Sequence, residues 1–323
     1  MAIAYSAAVK ILRFLPLFLC PLLACCGGDP AARTLKAGEK PVIIASTLHI
    51  ACIATAVSGD DAKVELLPPD QTDPHDFEPT ANDRRRLQAA HLFAVSGLGL
   101  EGYDAAKLAE AAGVTLVDCG ANVPARFLIG ADGESGHDHH HHGHGDDHGH
   151  AHGPSDPHVW LSAEGASKLG FAIAQALGKL DVAHAQAYTD RALAFSTRLF
   201  QTLDEFAPKI EKLANKKFAT DHDAFAYFAR EAGLGKATFI RKTPGRQITV
   251  EQRRKLEEEL RAAGVRAIFI EPGHENTAAE EVAKSLGVKL AMLDPFEIGK
   301  FEPGALEQNY RKNLEAVLKA LSD

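Results

Sequence analysis

The most constraining feature of this sequence is a junction that recurs along it: a helix-like stretch ends in glycine and an apolar, strand-like run follows. Ala111-Ala112-Gly113-Val114 leads into Thr115-Leu116-Val117, Ala262-Ala263-Gly264-Val265 into Ala267-Ile268-Phe269-Ile270, and Ser285-Leu286-Gly287-Val288 into Leu290-Ala291-Met292-Leu293. Glycine reaches the left-handed conformation that closes a helix without a Cβ penalty. A run that is apolar at successive positions suits a strand buried on both faces, and alternation with helices implies βαβ units and parallel sheets. The pattern predicts strands at 41–46, 63–67, 91–96 and 114–118 in the first half, and at 216–220, 236–241, 265–270 and 288–293 in the second. Helices are predicted at 49–58, 80–90, 103–112, 223–232, 249–263, 277–286 and 303–321. Thr249-Val250-Glu251-Gln252 is a helix start, with threonine as the cap and glutamine three residues on.

Residues 163–214 carry no strand signal and read as two helices broken near Lys179-Leu180-Asp181. The second, 182–214, places Tyr188, Ala192, Phe195, Leu199, Leu203 and Phe206 at helical spacing. As one helix it would be about 48 Å long, enough to cross a domain interface. The alternative is two shorter helices split before Pro208. The predicted fold class is α/β, with two lobes, each a four-stranded parallel sheet flanked by helices, joined by a long rigid linking helix. The lobes are predicted at 40–181 and 215–323, with 182–214 as the link.

Residues 1–25 read as a signal peptide. Lys10 and Arg13 supply its positive region, and the apolar run 14–24 is too short to span a bilayer. Leu22-Leu23-Ala24-Cys25 resembles the lipobox of bacterial lipoproteins, which implies lipid attachment at Cys25 and a membrane-surface location. Cys26 is the neighbouring alternative anchor. Two later cysteines, Cys52 and Cys119, have no CxxC spacing. In an oxidising compartment they either pair or remain buried thiols. The formal charge of −8, from 35 basic and 43 acidic residues, argues against nucleic-acid binding, which needs a basic face.

Histidine is concentrated in one place. Of 16 histidines, nine lie in the stretch from His137 to His152: His137, His139, His140, His141, His142, His144, His148, His150 and His152. The surrounding 130–155 is rich in Gly, His and Asp without periodicity, and reads as a loop of the first lobe. Imidazoles on such a loop suit zinc, copper or nickel at several interchangeable positions of modest affinity.

A second, scattered set is sharper. Asp73-Pro74-His75 follows the second predicted strand, and Asp156-Pro157-His158 follows the histidine tract. Proline fixes its own φ and pushes the preceding residue to an extended shape, so both units present a histidine from a stiff turn. Asp221-His222-Asp223 follows the strand at 216–220, and Leu293-Asp294-Pro295 closes the last strand. Ligands of parallel sheets bind beyond the strand C-termini. If the two sheets face each other, His75 and His158 meet His222 and Asp294. Three imidazoles and a carboxylate form a closed tetrahedral set for zinc, whereas calcium and magnesium prefer all-oxygen shells. Manganese or iron is better served by an additional carboxylate.

The stretches Asp73-Pro-His-Asp-Phe-Glu-Pro-Thr80, Asp156-Pro-His-Val-Trp-Leu161, His222-Asp-Ala-Phe-Ala-Tyr-Phe228, Glu271-Pro272 and Leu293-Asp-Pro295, in this order, resemble the metal-binding receptors of bacterial ABC importers, in their zinc-type branch. The resemblance implies two lobes joined by a long helix, one tight Zn2+ site with ligands His75, His158, His222 and Asp294, weaker ions on the histidine tract, and an ABC permease as partner. It also implies a location in the periplasm or at the outer face of the cytoplasmic membrane, and a monomer. The manganese and iron branch typically carries glutamate where this chain has His222. Gly273 departs from the family pattern, which often has glutamine there. His49, Glu271 and His274 are candidates to support the ligands from behind; His91 and His184 read as structural or surface residues.

The competing functions are a manganese or iron receptor of the same family, a metal-buffering or adhesive surface lipoprotein, and a zinc hydrolase. Catalytic zinc keeps an open position for water, and the chain offers a fourth protein ligand and no HExxH pair, so no enzyme is expected.

Overall fold

Among the described residues, eight strands form two sheets of identical order. In the first sheet β1 (Val42–Ala45), β2 (Lys63–Leu66), β3 (Leu92–Val95) and β4 (Thr115–Asp118) lie in the order β2-β1-β3-β4. In the second, β5 (Phe218–Thr220), β6 (Thr238–Phe239), β7 (Ala267–Ile270) and β8 (Lys289–Met292) lie in the order β6-β5-β7-β8. Every pairing is parallel, with Ile43 opposite Val64 and Leu92, and Ala219 opposite Thr238 and Ile268. The computed structural model describes residues 33–130, 155–241 and 248–322. The predicted signal peptide with Cys25, and the histidine tract from His137 to His152, lie outside the described residues.

The helices are α1 (Leu48–Ser58), α2 (Ala81–Gln88), α3 (Ala105–Ala112), α4 (Ala163–Leu180), α5 (Ala185–Glu211), α6 (Ala226–Glu231), α7 (Val250–Ala263), α8 (Thr277–Leu286) and α9 (Ala305–Leu321). Gly113, Gly264 and Gly287 close α3, α7 and α8 in the left-handed conformation, at φ 65°, 73° and 68°. Thr249 and Gln252 form a reciprocal capping box at the start of α7. The junctions that dominate the sequence are thus the helix-to-strand turns of the βαβ units.

The long helix differs in detail from the predicted 182–214. A single 3₁₀ turn at Val182–His184 precedes it, and α5 runs for 27 residues, about 40 Å at 1.5 Å per residue. Asp181 makes the break after α4, accepting from Tyr188 Oη and pairing with His184 Nδ1, both at 2.8 Å. Pro208 does not split α5. A mid-helix proline forfeits one backbone hydrogen bond, but the carbonyl it leaves belongs to Asp204, which is exposed and open to water. The buried residues Phe206 and Ile210 on either side hold the helix in place.

One face of α5 buries Tyr188, Ala192, Phe195, Leu199, Phe206 and Ile210. It packs on α4 and α1 from the first half of the chain and on α9 from the second. A single apolar cluster therefore runs from Ile43 through Phe195 and Phe218 to Leu321. Cys52 and Cys119 are both buried free thiols, which closes the alternative of a disulfide. Cys52 Sγ lies against the carbonyl of Glu302 at 3.4 Å, so the thiol serves the packing of α1 on the approach to α9.

Phe195 has no exposure and sits within the shared cluster. Phe195→Ala is expected to cost about 3–5 kcal/mol and to lower the melting temperature of the whole chain in one calorimetric transition. Two well-separated transitions would show that the halves do not share a core.

Candidate metal centre

Both Asp-Pro-His units are built alike. Asp73 Oδ1 accepts from the backbone N–H of His75, and Asp156 Oδ1 from that of His158, each at 2.9 Å. Proline between them leaves no competing donor and fixes the turn. The histidine thus leaves each turn in a set direction. Gly102 lies beneath the first turn, where a Cβ would stand 2.7 Å from the carbonyl oxygen of His75, so only glycine admits this approach. Asp156 also takes the ring of His158, with Nδ1 at 2.7 Å from Oδ1, which turns Nε2 towards the centre of the cleft.

His222 follows β5 and is oriented from β7. Glu271, fully buried at the end of β7, accepts from the His222 backbone N–H at 3.1 Å, and its other oxygen lies 2.5 Å from His222 Nδ1. The preceding Asp221 pairs with Arg241 through two nitrogens at 2.8–3.1 Å, which anchors the start of this turn.

The structure does not bring Asp294 to the three histidines. Its Oδ1 accepts from the Phe296 backbone N–H at 2.7 Å, and its backbone is held by Asn309 and Asn313 of α9. This is the same turn that Asp73 and Asp156 make. Its effect is to aim the next polar side chain inward, and that side chain is Glu297. Phe296 adopts φ 59°, a left-handed conformation uncommon for a bulky residue, at the bend that directs Glu297 into the cleft.

Glu297 Oε1 lies 3.0 Å from His75 Nε2 and 3.1 Å from His158 Nε2, and Oε2 lies 3.9 Å from His222 Nε2. Among the described residues, His75, His158 and Glu297 offer ligand atoms all within 4.8 Å of one another. The ring of His222 is 5.5 Å from that of His158. All four side chains are buried. His222 Nε2 and Glu297 Oε2 are buried without a hydrogen bond and face each other. Such atoms are costly unless something else satisfies them, and a cation between the two would do so.

The electrostatics follow from this crowding. Burial drives the Glu297 carboxyl up, but His75, His158 and His222 outweigh it and hold it well below the ordinary carboxylate range. Burial drives His158 down, but Asp156 and Glu297 outweigh it and push the imidazole up to about 10. His222 is likewise raised, with Glu271 outweighing burial.

The other expected residues fall in different places. His49, in the first turn of α1, has no exposure; its Nε2 lies 3.1 Å from Thr47 Oγ1 and 3.0 Å from Ser96 Oγ, and burial holds the ring well below its usual pKa. Glu271 stands directly behind His222. His274 is not in the group of close ligand atoms, although its Nε2 is buried without a hydrogen bond. His91 is a structural residue, its Nδ1 accepting from the Val42 N–H at 3.1 Å. Glu297 is the residue missed by sequence reading. The available signal was the repetition itself: in two Asp-Pro-X units the aspartate was already the turn-maker rather than the presented ligand.

Residues 43–323 match the model of the family described as "Zinc-uptake complex component A periplasmic". The chain is 28% identical over 295 residues to the zinc-binding protein AdcA of Streptococcus pyogenes, covering 88% of this chain and 57% of that protein. It therefore spans little more than half of that relative's length. It is 29% identical over 280 residues to the high-affinity zinc uptake system protein ZnuA of Bacillus subtilis, covering 85% of each. Among solved structures it is similar to the SBP FpvC of Pseudomonas aeruginosa in complex with Mn2+, with TM-score 0.74 and 27% identity over 88% of this chain and 98% of that one.

The two carboxylates are separable by experiment. Glu297→Gln is expected to weaken zinc binding by at least about 100-fold in calorimetry, more than loss of a supporting hydrogen bond would. Asp294→Asn retains an oxygen that accepts from Phe296 and is expected to stay within about threefold, because the turn it makes persists. The opposite ranking would make Asp294 the ligand.

Proposed function

The chain belongs to the zinc-uptake complex component A family, whose members are solute-binding receptors of transport systems rather than enzymes, and we propose that it captures one zinc ion between its two lobes and delivers it to an ABC-type membrane importer. The observation that carries this reading is the buried set of His75, His158, His222 and Glu297, with His222 Nε2 and Glu297 Oε2 lacking any other partner. Three imidazole nitrogens and a carboxylate oxygen are a zinc-type donor set that leaves no position for a reactive water. Zinc in the names of AdcA and ZnuA supports the same cargo. Manganese, bound in the FpvC structure, is the competing cargo, and the single carboxylate here disfavours it.

The remaining features fit a receptor held at the membrane face. No helix among the described residues is long and apolar enough to cross a membrane. Attachment would come from a lipid on Cys25, in keeping with the lipobox-like Leu22-Leu23-Ala24-Cys25. The tract from His137 to His152 would hold further ions weakly through its clustered imidazoles. Receptor and permease would meet as monomer and membrane partner.

Two measurements test this. The protein purified without chelator, analysed by elemental mass spectrometry, is expected to carry one zinc per chain after mild dialysis; a variant lacking 136–153 retains that ion and loses only the weaker ones. Tight manganese, or loss of the tight ion with the tract, overturns the reading. The second is pH. His158 is raised to about 10, so near neutrality its Nε2 carries a proton that zinc must displace. Affinity therefore rises with pH and falls in acid, by roughly tenfold per pH unit for each proton released. Calorimetry in buffers of different ionisation enthalpy is expected to register at least one proton released per ion.

A further inference from the structure

The turn that carries Glu297 is held from two sides. Its own lobe grips it through Asn309 and Asn313, which bind the backbone of Asp294. The opposite side comes from the first half of the chain. Trp160, two residues beyond His158, donates its indole N–H to the carbonyl of Pro295 at 2.8 Å. The backbone N–H of Gln71 donates to the carbonyl of Gly299 at 3.2 Å, completing the grip beyond Glu297.

Trp160 is itself fixed in place. It is 1% exposed, and its indole stacks on the ring of His49 with centroids 3.7 Å apart and planes 7° from parallel. His49 is tied at Nε2 to Thr47 and Ser96, at the ends of β1 and β3. Ser96 and the adjoining Ser46 are fastened in turn by the carboxylate of Glu101, each at 2.7 Å. The ring of His158 lies 5.2 Å from that of Trp160. One indole thus touches the anchored crevice of the first sheet, a metal-facing histidine and the carbonyl two residues before Glu297.

We infer that Trp160, backed by His49, is a positioning residue that latches the Glu297 turn across the two lobes and so sets how long a bound metal stays. The inference rests on Glu297 being a ligand, as proposed above. A carboxylate on a turn with left-handed φ at Phe296 has a strained backbone to relax. The indole hydrogen bond opposes that relaxation without touching the metal. Breaking it frees Glu297 to swing away, and the remaining imidazoles hold the ion less long. His49 supplies the flat surface that keeps the indole N–H aimed at Pro295. Burial holds that ring well below the ordinary histidine pKa, which disfavours a charge at this position.

The test is a double-mutant cycle read by chelator-competition stopped flow on the full-length chain. Trp160→Phe keeps a ring against His49 but removes the donor. It is expected to raise the zinc off-rate about tenfold, the scale of one lost hydrogen bond, and to leave the on-rate near its original value. In a Glu297→Gln background the same substitution is expected to change the off-rate less than twofold, because the latch then has no carboxylate to hold. Cobalt(II) replacing zinc supplies a spectroscopic signature: Trp160→Phe shifts the visible d–d bands towards those of Glu297→Gln. His49→Phe, which retains stacking but loses the ties to Thr47 and Ser96, is expected to fall between the original chain and Trp160→Phe. If Trp160→Phe leaves the off-rate unchanged, or is fully additive with Glu297→Gln, the latch is overturned while the metal site stands. If Glu297→Gln itself has no effect, the site assignment fails first.

Discussion

Glu297 is a carboxylate with 3% exposure set among three imidazoles. An ionised group removed from water is strongly unfavourable unless opposite charge and hydrogen bonds answer it locally. Here the answer comes from histidines contributed by distant parts of the chain, at positions 75, 158 and 222. Each is in turn held by a carboxylate or a turn of its own: Asp73 under the His75 turn, Asp156 on the His158 ring, Glu271 on the His222 ring. The outward progression is from a central carboxylate to imidazoles and then to the acids behind them, of which Asp156 and Glu271 are buried. A divalent cation at the centre would complete this alternation, with protons on the imidazoles as its direct competitors.

The repeated sheet order explains how so many polar groups reach one place. In β2-β1-β3-β4 and in β6-β5-β7-β8, the chain leaves two adjacent central strands in opposite directions. A crevice opens beyond those strand ends, as at the switch point of open parallel sheets. In the first sheet that crevice is lined by His49 after β1 and Ser96 after β3; in the second, by His222 after β5 and Glu271 after β7. The longer connections after β2, β4 and β8 then bring His75, His158 and Glu297 over the crevices. The apolar cluster shared by α1, α4, α5 and α9 supports both sheets on one core. A joint of this kind resists free swinging of the lobes.

Much of this was legible in the residues alone. The glycine-closed junctions at Gly113, Gly264 and Gly287 act through local backbone preference, and local preference survives in any tertiary setting. The apolar stripe Tyr188, Ala192, Phe195, Leu199 on α5 and the capping box of Thr249 with Gln252 were readable for the same reason. The Asp-Pro-His units were equally local: proline and an aspartate accepting from the residue two positions on fix the turn without outside help.

Tertiary structure decided what no local signal contains. The order of strands within each sheet depends on where crossovers pack, not on the strands' own composition. The continuity of α5 through Pro208 depended on partners that bury Phe206 and Ile210. Above all, the choice between Asp294 and Glu297 lay beyond the sequence pattern. Both are acids near the end of β8, and the decision rests on Asn309 and Asn313 of α9, Trp160 of the opposite lobe, and the left-handed bend at Phe296. Sequence determined the local shapes and the kind of chemistry, because turns and donor atoms are properties of neighbouring residues. The fold decided which carboxylate faces the imidazoles, because that depends on how α9 and the distant Trp160 hold the turn after β8.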